Sequence, residues 1–221
     1  MKILALETSS ERASAALLFD TQMIERSITA VNQHSRTVLA MIDEILLEAE
    51  LSLASLDAIA FGSGPGAFTG LRIACGVAQG LAFGAGLQVI GVPTLLAIAE
   101  AAQRERVLAA IDARMGQIYC AAYVRAESSW RCEHEPILCT ADSAPAVAGR
   151  WTGAGNAFRV YAAQFKQRYG EQIEQLCSDV EPTAGAVARL AAKTPQSAWL
   201  DPAVAAPLYV RNKVALTIAE R

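Results

Sequence analysis

A glycine-rich connection followed by a long uncharged segment limits most strongly the folds that this chain can adopt. The connection is residues 62–72, GSGPGAFTGLR, and the 27 residues after it, 73–99, carry no charged side chain. That run exceeds the roughly 20 residues that span a bilayer, but glycines, Gln79, Gln88 and Pro93 interrupt it. These breaks divide it into a helix, a strand and a second helix. We therefore expect a buried α/β core and no membrane span.

The composition excludes several classes of protein. With 221 residues, 53% of them hydrophobic, the chain can form a sizeable core in one large or two small domains. A net charge of −3 gives no field that would hold nucleic acid unaided, so any RNA or DNA contact requires a local patch or a partner protein. The start, MKILALETSS, lacks the pattern of a signal peptide. Five cysteines without a CxxC pair fit a reducing cytoplasm better than a disulfide framework.

Strand and helix patterns alternate along the first hundred residues. Three apolar segments with short polar connections predict an antiparallel meander over Lys2–Glu7, Ala13–Phe19 and Met23–Thr29. An amphipathic helix over Ser35–Glu50 follows, and its apolar stripe consists of Val38, Met41, Ile42, Ile45, Leu46 and Ala49. The next predicted elements are a strand at Leu56–Phe61, a helix at Thr69–Phe83, a strand at Gln88–Val92, and a helix from Pro93 to Gln103 that Thr94 caps.

The second half begins like the first. Val107–Asp112 and Gln117–Val124 predict another hairpin, and Ala109–Asp112 matches Leu4–Glu7 in ending on an acid. Ala16 and Ala121 each follow that acid by nine residues. An internal duplication and a chance likeness of two hairpins both account for this pattern.

Further elements complete the predicted second half. Strands are expected near residues 136–140 and 150–152, a turn at 153–156, a helix from there to Tyr169, and an alanine-rich helix over 182–193. The proline-containing segment 201–207 is expected to return to the first lobe. We place the domain boundary near residues 103–106, which gives domains of 1–104 and 105–221.

The glycine-rich connection matches no known phosphate-binding or nucleophile motif. Leu71 and Arg72 follow Gly70 where a Walker loop has lysine and a hydroxyl, and the glycine spacing also fails the dinucleotide fingerprint. Ser63 lacks the flanking glycines of a nucleophile elbow. The glycines therefore indicate tight turns and close approach of the backbone.

The helix after this connection has two faces of small residues. Gly76, Gly80 and Gly84 recur every four residues, and Ala74, Ala78 and Ala82 do the same on a neighbouring face. An interior glycine costs about 1 kcal/mol relative to alanine, so three of them need a packing reason. The partner is either the Ser35–Glu50 helix of the same chain or a second subunit.

Two acids end the equivalent strands, at the position where α/β folds place ligands. Glu7, Thr8, Ser9 and Asp112 are therefore candidate nucleotide-binding residues, with the alternative that residues 8–10 only form a hairpin turn. The spacing of Cys132, His134 and Cys139 matches no common zinc site, so no metal is expected. No catalytic dyad or triad can be placed by spacing, and no residue is assigned as catalytic.

Several segments resemble the TsaB (YeaZ) family, whose members are subunits of the bacterial machinery that makes threonylcarbamoyladenosine in tRNA. The segments are ILALETSSERASAAL, HSRTVLAMIDEIL, GSGPGAFTGLRIACGVAQGLA, WTGAGNA and the closing PLYVRNKVA. The resemblance spans nearly the whole chain. It implies an α/β protein with the actin-like ATPase (ribonuclease H-like) fold, built from two duplicated lobes that each hold a mixed sheet and helices.

The resemblance also implies partners and cofactors. The larger paralogue, TsaD, carries an HxxxH metal pair and transfers the threonylcarbamoyl group from its adenylate to the adenosine beside the anticodon. In this sequence Val38 stands four residues after His34, so the pair is absent. The resemblance therefore implies a non-catalytic subunit that binds no cofactor alone and activates TsaD, on which ATP and a metal ion are expected. A TsaE-type ATPase, tRNA through the complex, and a second copy of this chain are further expected partners in the cytoplasm, away from membranes.

The family's first-lobe helices form a dimerisation surface, which here corresponds to Ser35–Glu50 and Thr69–Phe83. The interface residues that the resemblance implies are Val38, Met41, Ile42, Ile45, Arg72, Gly76 and Gly80. The alternative function is a stand-alone ATPase or phosphotransferase that uses Glu7, Thr8 and Asp112. A protease, a third possibility, has no supporting dyad or metal pair in the sequence.

Overall fold

The structure, a computed structural model, describes residues 1–29, 34–127 and 129–211, without the side chains of residues 34–36. The elements of the first half are β1 (Lys2–Glu7), β2 (Arg12–Phe19), β3 (Gln22–Thr29), α1 (His34–Glu48), β4 (Ala58–Gly64), α2 (Phe68–Ala85), β5 (Gln88–Pro93) and α3 (Thr94–Ala102). Those of the second half are β6 (Arg106–Arg114), β7 (Gln117–Ala126), β8 (Ser129–Cys139), β9 (Trp151–Ala154), α4 (Ala157–Val160), α5 (Ala162–Tyr169), β10 (Ile173–Cys177) and α6 (Ala184–Ala191).

The ten strands form two five-stranded mixed sheets with the same topology. The first has the order β3-β2-β1-β4-β5, and the second repeats it as β8-β7-β6-β9-β10. In both sheets the first three strands are antiparallel, and the fourth and fifth continue parallel to the first. The duplicated α/β fold that the resemblance implied is confirmed. The second half is reduced, because a short 3₁₀ turn, Ala141–Ser143, replaces the helix between its third and fourth strands.

The helices cover both faces of the sheets. One face of the first sheet packs against α1 and α2, and its side chains Leu4, Leu6 and Phe61 are fully buried there. The other face packs against α6 of the second half. Helix α3 of the first half in turn packs against β6 and β7. Helix α3 of the first half therefore packs on the second sheet, and helix α6 of the second half packs on the first. The predicted domain boundary between residues 104 and 105 stays a prediction.

Most predicted elements are confirmed within a few residues, and the differences have local causes. Thr94 is the first residue of α3 and not its cap, and its hydroxyl oxygen instead accepts a hydrogen bond from the Gly64 N–H at 3.1 Å. The predicted helix up to Tyr169 is interrupted at Tyr161, between α4 and α5. Strand β8 begins seven residues before the predicted position, and β10 was not predicted at all. Both are edge strands with mostly exposed side chains, so they lack a strong apolar signal.

The uncharged segment 73–99 forms most of α2, β5 and the first turns of α3. Among the described residues, no helix is long and apolar enough to cross a membrane. The last residues of the PLYVRNKVA segment, 212–215, lie outside the described residues.

Candidate functional site

A cleft of about 780 Å³ lies between the two halves, at the carboxyl ends of β1 and β6. Thr8 and Ser9 line one side of it, and Asp112 and Asn156 line the other. The strands β1 and β6 are equivalent in the duplicated fold, and each carries an acid at or near its carboxyl end, Glu7 in β1 and Asp112 in β6. The structure thus brings together three of the four candidate nucleotide-binding residues, while Glu7 is fully buried behind them.

The Glu7 carboxyl is enclosed by the turn that follows it. Its Oε1 accepts a hydrogen bond from the Ser9 N–H at 2.6 Å, whereas Oε2 has no hydrogen-bond partner among the described residues. Burial raises the pKa of Glu7, and the hydrogen bonds from Ser9 and Thr8 oppose that shift only in part. Gly62 lies directly against this carboxyl, and a Cβ there would overlap it.

The Thr8 hydroxyl and the Ser9 backbone are used within the chain, whereas the buried Ser9 Oγ has no hydrogen-bond partner among the described residues. The Thr8 hydroxyl donates to the carbonyl oxygen of Gly70 at 2.7 Å, and the Ser9 carbonyl accepts from the Ala67 N–H at 2.9 Å. A Cβ at Gly66 would stand 2.6 Å from the Ser9 Cβ, and one at Gly70 would overlap the Thr8 carbonyl. The glycines of the connection therefore serve close backbone approach, as the sequence indicated.

Asp112 is also held by neighbours. Its Oδ1 accepts hydrogen bonds from the Tyr161 hydroxyl and the Arg114 N–H, both at 2.9 Å. The Asp112 N–H in turn donates to Asn156 Oδ1 at 2.8 Å. Asn156 lies just after β9, and the sequence analysis did not name it as a site residue. The turn that holds it follows the fourth strand of its sheet, as the glycine-rich connection follows β4 in the first sheet.

The charges around the cleft are unfavourable to an anion. Its lining contains four acids, Glu11, Asp112, Asp179 and Glu181, and only two arginines. Arg159 pairs with Asp179 at 2.9 Å, and Arg114 lies 3.4 Å from the carboxylate of Asp112. A polyphosphate would therefore meet excess negative charge and no unpaired guanidinium in this lining.

The glycine face of α2 lies on the surface. Gly76, Gly80 and Gly84 are exposed, and a Cβ at any of them would meet nothing within 4 Å among the described residues. The alanine face is fully buried in the first core. Helix α1 shares that core, but none of the described residues covers the glycines, so the packing of the predicted Ser35–Glu50 helix on this face is not found among them.

The predicted interface role of the α1 stripe needs correction. Val38, Met41, Ile42 and Ile45 are between 0% and 6% exposed and pack into the first core. Side chains that already fill the core of their own chain leave no surface for a partner. Among the described side chains of α1, the exposed large apolar residues are Leu39 and Leu47 instead.

A cluster of aromatic side chains and one arginine extends the glycine face at the start of α2. The Arg72 guanidinium lies 3.9 Å over the Phe68 ring, and its Nε donates to the Tyr209 hydroxyl at 3.2 Å. Phe68, Tyr209 and, at the far end of α2, Phe83 are all exposed by 41% or more. The sequence pattern had missed these three aromatic residues, although Phe68 and Phe83 are apolar positions near the two ends of the same helix.

The residues that were weighed as a metal cluster do not form one. Among the described residues, no three His, Cys, Asp or Glu side chains are placed to hold a metal ion. The His134 ring Nε2 lies 2.9 Å from the Ala146 carbonyl oxygen, and Cys132 and Cys139 are free thiols.

Two duplicated mixed sheets with acids at or near the ends of their first strands define a protein of the actin-like ATPase (ribonuclease H-like) fold class. The family described as "TsaD: tRNA N6-adenosine threonylcarbamoyltransferase" matches residues 27–215. The "tRNA threonylcarbamoyladenosine biosynthesis protein TsaB" of Escherichia coli K12 is 37% identical over 97% of this chain and 96% of its own length. The protein of the same description from Haemophilus influenzae is 49% identical over 57% of this chain and 55% of its own length.

A solved structure is similar over nearly the whole fold. "YeaZ from Pseudomonas aeruginosa" has a TM-score of 0.86 and 34% identity, covering 94% of this chain and 99% of that one. This chain belongs to the TsaB (YeaZ) family.

Proposed function

We propose that this chain is a subunit of the machinery that makes threonylcarbamoyladenosine in tRNA, and that it acts by binding and activating the larger paralogue TsaD. The membership of the TsaB family supports the pathway. The observation that carries the mode of action is the exposed glycine face of α2, formed by Gly76, Gly80 and Gly84. ATP, a metal ion, a TsaE-type ATPase and tRNA belong to the assembled complex in this proposal.

The glycine face has the features of a helix-packing surface without its partner. Three exposed glycines weaken a helix in water by about 1 kcal/mol each relative to alanine, so their presence is explained by a second backbone that approaches closely. Phe68, Arg72 and Phe83 stand at the ends of this face, and aromatic residues and arginine are the usual anchors of interfaces.

The outer side of α1 completes the surface. Leu39 is 45% exposed and Leu47 is 80% exposed, so both offer apolar surface on α1 outside its core stripe. We define the partner surface as Leu39, Leu47, Phe68, Arg72, Gly76, Gly80 and Phe83. The same surface would serve a homodimer when TsaD is absent, because a two-fold contact uses one patch on both chains.

A leucine at position 80 tests this surface with an internal control for folding. Because nothing lies within 4 Å of a Cβ there, Gly80→Leu should raise the free energy of unfolding of the isolated chain by up to about 1 kcal/mol. The same side chain should weaken TsaD binding at least tenfold in calorimetry, because it holds the two helices apart. Ala163→Leu places the same residue on the exposed side of α5 and should bind normally. Normal binding and normal tRNA modification by Gly80→Leu would refute the surface.

The subunit role is tested by reconstituted threonylcarbamoyl transfer to tRNA. Full transfer by the remaining components without this chain would refute the proposal. Transfer that requires this chain, and that falls with Gly80→Leu but not with Ala163→Leu, would support both the role and the surface.

A stand-alone phosphotransferase or ATPase is the second candidate, and the cleft where Thr8, Ser9 and Asp112 meet favours it. The acidic lining and the engaged Thr8 hydroxyl argue against phosphate binding there. Calorimetry with ATP and magnesium on the isolated chain distinguishes the two functions. Only the phosphotransferase or ATPase should bind ATP with a dissociation constant below millimolar, and Asp112→Asn should abolish that binding.

A further inference from the structure

The turn at the floor of the cleft is attached to the first turn of α2 at several points. The Thr8 hydroxyl donates to the Gly70 carbonyl at 2.7 Å, and the Ser9 carbonyl accepts from the Ala67 N–H at 2.9 Å. Gly66 and Gly70 allow the two backbones to approach this closely. Thr8 is fully buried, so its hydrogen bond is not in competition with water.

Helix α2 depends on this attachment because its own start is poorly fixed. The residue at its N-cap is Ala67, which offers no side-chain hydrogen bond to the first turn. The interior glycines further lower its intrinsic helical stability. Its other end, by contrast, closes on the left-handed Gly86, whose N–H donates to the carbonyls of Ala82 and Phe83.

The attached turn and the partner surface lie on the same rigid element. Arg72 follows Gly70 by two residues, and Gly80 lies ten residues on, about 15 Å along the helix axis. A shift of the first turn therefore moves Phe68 and Arg72 directly and tilts the glycine face behind them.

We propose that Thr8 is a positioning residue for partner binding: its hydroxyl holds the first turn of α2, and thereby the partner surface, in the geometry that a partner helix requires. This inference rests on the proposed function. It assigns to Thr8 a role toward TsaD instead of the phosphate contact that its place at a strand end suggested.

Three variants of the full chain test the role, with TsaD affinity from calorimetry and hydrogen exchange of the α2 amides as the two measurements. Thr8→Val keeps the shape but removes the hydroxyl, and should lower affinity about tenfold and speed exchange at residues 71–74. Thr8→Ser keeps the hydroxyl and should bind within twofold of the unchanged chain. Ser14→Ala is the matched control, because it removes another buried hydroxyl whose Oγ accepts from the Ala184 N–H at 2.9 Å, away from α2.

The outcomes separate this inference from the proposed function. If Thr8→Val binds no worse than Ser14→Ala, or if exchange at residues 71–74 is unchanged, the positioning role is overturned, while a loss of binding in Gly80→Leu still upholds the surface. If Gly80→Leu binds normally, the surface itself is wrong and the role of Thr8 toward it falls too.

Discussion

The indole Nε1 of Trp130 donates a hydrogen bond to the Glu100 carboxylate, 2.8 Å away, at a point where elements of both halves meet. Glu100 lies on α3 and is 4% exposed. Arg125 of β7 and Arg189 of α6 approach the same carboxylate at 3.4 and 3.3 Å. One buried acid thus connects the helix that ends the first half to a helix and two strands of the second.

Removing that acid should destabilise the whole chain. We expect Glu100→Ala to lower the free energy of unfolding by about 2 kcal/mol in urea denaturation, because two arginines lose their counter-charge while only about a third exposed. Trp130→Phe removes one hydrogen bond to Glu100 but keeps an aromatic ring beside Arg125, and should cost less, about 1 kcal/mol. If both variants lower the free energy of unfolding by the same small amount, Glu100 does not hold Trp130, Arg125 and Arg189 together as one unit.

Replacing two glycines of α2 by alanine should change the free energy of unfolding in opposite directions. Gly76→Ala should raise the free energy of unfolding by about 1 kcal/mol, because the new Cβ meets nothing and the helix gains propensity. Gly70→Ala should lower it by about 2 kcal/mol, because the Cβ would overlap the Thr8 carbonyl. Thermal or urea unfolding of the isolated chains measures both, and changes of the same sign would contradict the packing of the α2 start.

The buried Glu7 carboxyl should make stability fall as pH rises. Its pKa is raised in the folded chain by burial, so the folded state holds the proton more tightly than the unfolded state. The stabilisation is full below the unfolded pKa near 4.5 and is lost as pH rises through the folded value. The free energy of unfolding of Glu7→Gln relative to the unchanged chain should therefore increase with pH, by at most about 1.4 kcal/mol per pH unit. A difference that stays constant from pH 5 to 8 would contradict this.

Cys132 should react slowly despite its exposed position. Burial of the thiol sulfur, with added repulsion from Glu135, raises the pKa of Cys132 to about 11. Because the thiolate is the reactive form and its fraction falls about a hundredfold, while its greater basicity recovers about a tenfold gain in nucleophilicity, alkylation at pH 8 should be about tenfold slower than for a thiol of pKa 9. Labelling followed by mass spectrometry measures the rate, and Glu135→Gln should increase it. A rate equal to that of an unhindered thiol would refute the shift.

The order of strands and helices in the first half was accessible from the sequence because apolar periodicity is a local property. The core stripe of α1 and the alanine face of α2 were correctly predicted as apolar or small-residue faces. Strands β8 and β10 were less accessible, since edge strands with exposed side chains carry little periodic signal. The duplication could be recognised only in part from two short matching segments, whereas the repeated sheet order makes it plain.

The sequence by itself determined the α/β class, the small-residue faces of α2 and the absence of known phosphate-binding and nucleophile motifs, because these depend on residue type and spacing along one segment. The actin-like fold with two duplicated lobes followed only from the resemblance to the TsaB family. Only the tertiary structure decided which face of each helix is covered. It buried Val38 and Ile45 against the first sheet, left Gly76 and Gly80 in solvent, and engaged the Thr8 hydroxyl with Gly70. The reason is physical: a face is buried or exposed according to contacts between residues far apart in the chain, and periodicity within one helix is the same for a core stripe and for a partner surface.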